Sequence, residues 1–151
     1  RSILGADPRA RQRLFTEPYA LALSPDHRFA GHDSVRGEDL AEDTMIVRRH
    51  CEALPEISRH FTRRGVRPFM AARTFSDDRA LSYVRSGLGL TVMPKSFASE
   101  GVAMPLLAGF DQTREIGFLI EPDSVQRVER TRAADIIADT YQAAAVATVL
   151  V

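Results

Sequence analysis

The segment 77–94, DDRALSYVRSGLGLTVMP, most constrains what this chain can fold into. Ser76 precedes it as a candidate helix N-cap, and aspartates fill the first turn, where carboxylates favour the positive end of a helix. Apolar residues then recur at helical spacing, and Gly87 suits the left-handed conformation that closes a helix. Residues 88–93 are almost wholly apolar, which is typical of a strand covered on both faces. The segment therefore predicts half of a βαβ unit, whose ligands bind near the carboxyl ends of its strands.

The rest of the sequence alternates between strand and helix patterns. We predict a polar surface connection over residues 5–14 and strands at 17–24, 44–47, 69–75, 88–93, 102–107 and 116–120. Helices are predicted at 53–64, 77–87 and 125–147. This alternation predicts an α/β fold with a mostly parallel sheet flanked by helices.

Composition excludes several classes of function. The 151 residues contain 20 Lys and Arg against 20 Asp and Glu, so no overall positive field is available to hold nucleic acid phosphates. A single cysteine forms no intrachain disulfide, which fits a reducing compartment such as the cytoplasm. No apolar run approaches the roughly 20 residues that a membrane helix needs. We expect a cytoplasmic globular protein with no membrane partner.

Chemistry-bearing residues lie around Cys51, directly before a predicted helix. A thiol beside Arg48, Arg49 and His50 at a helix N-terminus can have a lowered pKa, so a nucleophilic Cys51 is one hypothesis. Glu52 opposes that shift, and no partner histidine or asparagine follows a recognisable pattern. The favoured interpretation is a loop that lines a cleft without catalysis, and we expect no enzymatic activity.

No cofactor or metal is expected from the motifs. His27 and His32 are five residues apart in a turn, which matches no common zinc spacing. The glycines of the SGLG sequence at 86–89 lie between helix and strand, the wrong order for a phosphate-binding loop.

Polar groups follow the predicted strands where each one ends. The candidate binding residues are Arg48, His50, Cys51 and Glu52 after one strand, Thr74, Phe75 and Ser76 after the next, and Met93 and Pro94 after the third. The helix N-termini at Ala53 and Asp77 open onto the same edge, and such termini bind anions well. The pattern predicts a ligand cleft with no committed nucleophile or general base.

Four segments together resemble a known family, the effector-binding domain of LysR-type transcriptional regulators. They are a strand followed by Pro-x-His at 17–30, a short helix with Asp-Leu and a strand at 34–47, a helix ending in glycine at 56–65, and ALSYVRSGLGLTVMP within 79–94. The last is the most specific, and the match runs from about residue 14 to 120.

The resemblance implies a periplasmic-binding-protein-like fold of two α/β subdomains with an effector cleft between them. Residues 1–24 would end the first subdomain, 25–115 would form the second, and 116–151 would return to the first. The chain would then hold one full subdomain and part of another. Because it starts at Arg1 with a strand-like Ile-Leu, we expect upstream sequence to be missing, including the helix-turn-helix that would hold DNA. The resemblance also implies a small-molecule effector and a homodimer or homotetramer.

One departure from the family bears on the effector. Many members have a Gly-Ser-rich or Thr-containing loop where this chain has His50, Cys51 and Glu52. A glutamate there disfavours an anionic group unless a neighbouring arginine offsets it, so a carboxylate effector is less expected. A stand-alone solute-binding protein of the same fold remains the alternative, and an enzyme that uses Cys51 is a weaker one.

Overall fold

The computed structural model describes residues 11–119, 132, 135–137 and 139–140. Within that part the strands are β1 (Arg11–Ala22), β2 (Ser34–Val35), β3 (Thr44–Arg48), β4 (Phe69–Thr74), β5 (Thr91–Pro94), β6 (Leu106–Leu107) and β7 (Thr113–Leu119). The helices are α1 (Leu54–Arg63) and α2 (Asp77–Arg85), with 3₁₀ turns at Gly37–Leu40 and Lys95–Phe97. The predicted helix at 125–147 falls almost wholly outside the described residues.

The α2–β5 segment forms as its sequence predicts, except at the start of the strand. The Ser76 hydroxyl accepts a hydrogen bond from the Arg79 N–H at 3.3 Å, and Gly87 takes a positive φ of 74°. β5 begins at Thr91 rather than at residue 88, because the preceding residues turn against β3. A side chain at Gly89 would place its Cβ 2.7 Å from the Thr44 carbonyl oxygen, so this close approach requires glycine.

The strands around the candidate site are parallel. β3 pairs with β4 from Thr44↔Phe69 to Arg48↔Thr74, with an irregularity between Met45 and Ile46. A parallel bridge joins Met45 to Leu90, just before β5, and two backbone hydrogen bonds of 2.8 Å support it. β2 and β6 also pair in parallel, whereas β1 runs antiparallel to β5. The carboxyl ends of β3 and β4 therefore meet at one edge.

Two apolar clusters lie on opposite faces of β3. Met45 packs with the α1 residues Ile57 and Phe61 in one cluster. Ile46, the next residue, packs with Met93 and with the buried face of α2 in the other. This alternation is the two-residue period of a strand, and it shows that β3 is covered on both sides.

The predicted bounds of three other strands were wrong. β1 begins at Arg11, where we predicted a surface connection, because its side chains alternate between buried Leu14 and an exposed Arg13 that pairs with Glu115 at 3.3 Å. β7 begins at Thr113 rather than 116, and the strand predicted at 102–107 shortens to Leu106–Leu107.

The chain divides into two compact units. Unit 1 comprises residues 1–17 and 114–151, and unit 2 comprises residues 18–113. Unit 2 holds both helices and every predicted binding residue. The predicted subdomain boundaries at 24/25 and 115/116 stay predictions. Among the described residues, no helix combines the length and apolar character that crossing a membrane requires.

Candidate functional site

The strand ends of β3 and β4 are tied together by the turn that leads into α2. The Arg49 N–H donates to the Thr74 carbonyl at 2.9 Å, which continues the ladder one residue past β3. The Thr74 hydroxyl accepts from the Ser76 N–H at 3.0 Å and so shapes the turn. Ser76 then caps the helix. Thr74 and Ser76 thus fix where the α2 N-terminus lies relative to the sheet.

A buried ion pair stands at the centre of the predicted site. The Arg48 Nε donates to Asp77 Oδ1 at 2.6 Å, and only 3% of the Arg48 side chain is exposed. The same guanidinium donates to the Val92 carbonyl at 3.3 Å and lies 5.7 Å from the Phe97 ring centre. Arg48 therefore links β3, β5 and the first turn of α2 inside the protein.

Asp77 is the residue that sequence reasoning missed as a member of this site. Burial acts to raise the pKa of its carboxyl, but the hydrogen bond and charge of Arg48, with a smaller contribution from His50, outweigh burial and lower it. His50 Nε2 lies 3.5 Å from the same carboxylate oxygen. The sequence does place an aspartate in the first turn of the helix that follows β4. Its position explains a stabilising charge at the helix N-terminus but does not by itself indicate a partner on β3.

Cys51 has the opposite of an activated thiol's surroundings. Burial raises its pKa, and the charge of Arg48, whose Nη1 lies 3.5 Å from the sulfur, offsets this only in part. The neighbouring Glu52 carboxylate accepts a hydrogen bond from the Tyr19 hydroxyl. A thiolate is the form that attacks, so this environment disfavours the nucleophilic hypothesis.

The predicted residues separate into an exposed and a buried group. His50, Glu52, Phe75 and Ser76 are exposed, and 74% of Phe75 is accessible. The buried group comprises Arg48, Cys51, Thr74, Met93 and Pro94. The exposed group can contact a ligand directly, whereas the buried group shapes the surface from beneath. The role of all nine in binding stays a prediction.

We call the exposed surface formed by His50, Phe75 and Ser76 the strand-end wall. It offers an imidazole, an aromatic face and a hydroxyl, and the Arg49 guanidinium lies 6.0 Å from the Phe75 ring centre. These groups can donate and accept hydrogen bonds and can stack on a planar ligand. Within the described residues, no three His, Cys, Asp or Glu side chains are grouped to hold a metal ion.

Solved structures with the same fold are regulators at low sequence identity. The PA01 protein of Pseudomonas aeruginosa, assigned to the LysR family, superposes with a TM-score of 0.68 at 20% identity over 91% of this chain and 49% of its own. The effector binding domain of QuiR in complex with shikimate superposes with a TM-score of 0.62 at 18% identity, over 89% of this chain and 68% of its own. The Synechocystis PCC6803 CcmR regulatory domain in complex with 2-PG superposes with a TM-score of 0.64 at 16% identity, over 82% of this chain and 65% of its own.

These likenesses establish a periplasmic-binding-protein-like α/β fold, and this chain spans about half the length of the PA01 protein. None of the curated proteins matches the chain. The model of the LysR substrate binding domain matches residues 4–140, which is most of the sequence. The chain therefore belongs to the LysR substrate binding domain family.

Proposed function

We propose that this chain is the ligand-sensing domain of a LysR-type DNA-binding regulator and that a small-molecule effector binds against the strand-end wall. Family membership supports a regulatory role, and QuiR and CcmR are similar domains in complex with small molecules. DNA would be held by a helix-turn-helix outside this chain, in a homodimer or homotetramer working in the cytoplasm. No enzymatic step belongs to this proposal.

The observation that carries the proposal is the exposure of Phe75 beside Ser76 and His50. Phe75 directly follows the carboxyl end of β4 with 74% of its surface exposed, and ligands of parallel α/β sheets bind at the carboxyl ends of the strands. The Asp77 carboxylate lies 3.5 Å from His50 Nε2 of the wall, and it disfavours an effector whose binding group is a bare carboxylate. We infer an effector that presents hydroxyl or N–H donors on a compact, ring-like body.

Thermal unfolding with a panel of small acids, amines and hydroxylated aromatic compounds tests this function, and uncharged hydroxylated rings should give the largest effect. A ligand that binds only the folded chain raises Tm, by an amount that grows with ligand concentration. For a compound that does so, Phe75→Ala should weaken binding about tenfold, since it removes a stacking face.

Phe69→Ala is the matched control, because Phe69 lies at the opposite end of β4 and is 72% exposed. It should leave the affinity unchanged. Equal losses in both variants, or a bound structure in which the compound contacts none of the strand-end wall, would contradict the proposed site.

A further inference from the structure

A groove of about 570 Å³ runs between α1 and the β3–β4 pair. Its floor is apolar and includes Met45, Ile57, Phe61, Val66 and Met70. A volume of this size is typical of sites that enclose a small organic ligand, which range over roughly 300–1,000 Å³. His50, Phe75 and Ser76 do not line it, whereas Arg48, Arg49 and Cys51 do, so the groove adjoins the strand-end wall without including it.

The groove exists because α1 covers β3 more fully than it covers β4. Ile57 and Phe61 pack with Met45 of β3, whereas 43% of Met70 on β4 remains exposed. The α1 flank that borders the groove carries two small polar residues, Ser58 and Thr62, which are both exposed.

The charged side chains that line the groove are all arginines. Its lining contains four arginines and neither an aspartate nor a glutamate among the described residues. Arg48 is paired with Asp77, but Arg49, Arg67 and Arg73 are exposed and form no ion pair within the described part of the chain. This local excess stands in a chain whose formal net charge is zero. An apolar floor bordered by unpaired guanidinium groups complements an amphipathic anion.

We propose that this groove is a second ligand site, for a small organic anion with an apolar body such as a medium-chain or aromatic carboxylate. The apolar body lies on Met45, Ile57 and Met70, and the anionic group meets Arg67 or Arg73 at the rim. The site adjoins the strand-end wall but uses none of the three residues that define it, and its occupant differs in chemistry from the effector inferred there.

Calorimetric titration of the full chain with decanoate tests the site, with decylammonium as a probe of the same body and opposite charge. Decanoate should bind and decylammonium should not. Arg67→Gln combined with Arg73→Gln should raise the decanoate Kd about tenfold, because two exposed charge contacts are lost. Arg79→Gln, an exposed arginine on α2 outside the groove, should leave the Kd unchanged.

Filling the groove with a larger side chain gives a second test that does not change its charge. Ser58→Trp places a large side chain over the floor and should abolish decanoate binding, whereas Ser82→Trp, at an exposed position of α2, should not. Equal binding of both probes, or an unchanged Kd in the double arginine variant or in Ser58→Trp, would overturn the site.

Two further outcomes assign the surface elsewhere. If a second copy of the chain covers the groove, sedimentation will show a dimer that Ser58→Trp dissociates. Dimer formation will then compete with decanoate binding, and this outcome overturns the proposal. If decanoate binding is lost in Phe75→Ala and kept in the groove variants, decanoate occupies the strand-end wall. The groove proposal then fails while the proposed effector site gains support.

Discussion

The two faces of the β3–β4 pair differ in how completely they are covered. On the α2 face, Met93 is fully buried and the Arg48–Asp77 pair closes the edge. On the α1 face, Met45 is nearly buried yet borders a groove that opens to solvent. Two arginines show the same contrast. The buried Arg48 guanidinium links β3, β5 and α2, whereas the exposed Arg73 at the rim of the groove forms no ion pair among the described residues. One short parallel pair thus supports a rigid edge on one side and an accessible concavity on the other.

Matched methionine truncations measure this contrast, and they carry the largest expected effect. Met93→Ala should cost about 4 kcal/mol of unfolding free energy, because its closed surroundings cannot fill the space left behind. Met45→Ala should cost about 2 kcal/mol, because water entering from the groove reaches the vacated volume. Chemical denaturation of both variants gives the two values. Equal losses would mean that the α1 face is as tightly packed as the α2 face.

Removing the carboxylate of the buried pair should have the next largest effect. Asp77→Ala leaves the Arg48 guanidinium buried without its carboxylate, and we expect a loss of about 3 kcal/mol in denaturant unfolding at neutral pH. Asp78→Ala is the matched control, since Asp78 is exposed in the same first turn and should cost about 0.5 kcal/mol through the helix dipole alone. Similar losses in the two variants would show that Arg48 does not depend on its partner.

The same pair fixes the sign of a pH dependence. Because the pKa of Asp77 is lower in the folded chain than its ordinary 3.8, the folded state favours the ionised carboxyl. Its stabilisation is fully present above pH 3.8 and is lost as the pH falls through the lower, folded value. The stability gap between the natural chain and Asp77→Ala should therefore narrow below about pH 4 and stay constant above about pH 5. If the difference in unfolding free energy between the two chains widened in acid, the pKa of Asp77 would be raised by folding rather than lowered.

The sequence predicted those features of the fold that depend on neighbouring residues. The cap at Ser76, the turn at Gly87 and the buried character of β5 all follow from local patterns, and all three are present. The start of β5 was predicted too early because Gly89 approaches the Thr44 carbonyl, a contact 45 residues away along the chain. Local patterns do not encode such a contact.

The sequence could predict which candidate residues share an edge of the sheet but not which of them are buried, for the same reason, and their role in binding stays a prediction. Parallel strands bring Arg48 and Thr74 to one edge, which the alternation of elements already implied. Which side chains are buried there depends on the pairing of Arg48 with Asp77, 29 residues away. The groove depends on how far α1 extends over β4, and no periodicity in either segment specifies that distance.

A serine truncation in each helix gives the smallest effect and tests how firmly the two faces are anchored. Ser76→Ala removes the side-chain cap of α2 and should cost about 1 kcal/mol in denaturant unfolding. Ser58→Ala, at an exposed position of α1, should change stability by less than about 0.5 kcal/mol, since alanine is the better helix former and the α1 N-cap, Ala53, makes no side-chain cap.

Helix α2 is thus held at its first turn by a hydrogen bond and an ion pair, whereas α1 is held mainly by its apolar face. If Ser58→Ala cost as much as Ser76→Ala, α1 would be held by a polar contact at its groove flank, and the difference between the two faces would not lie in how their helices are anchored.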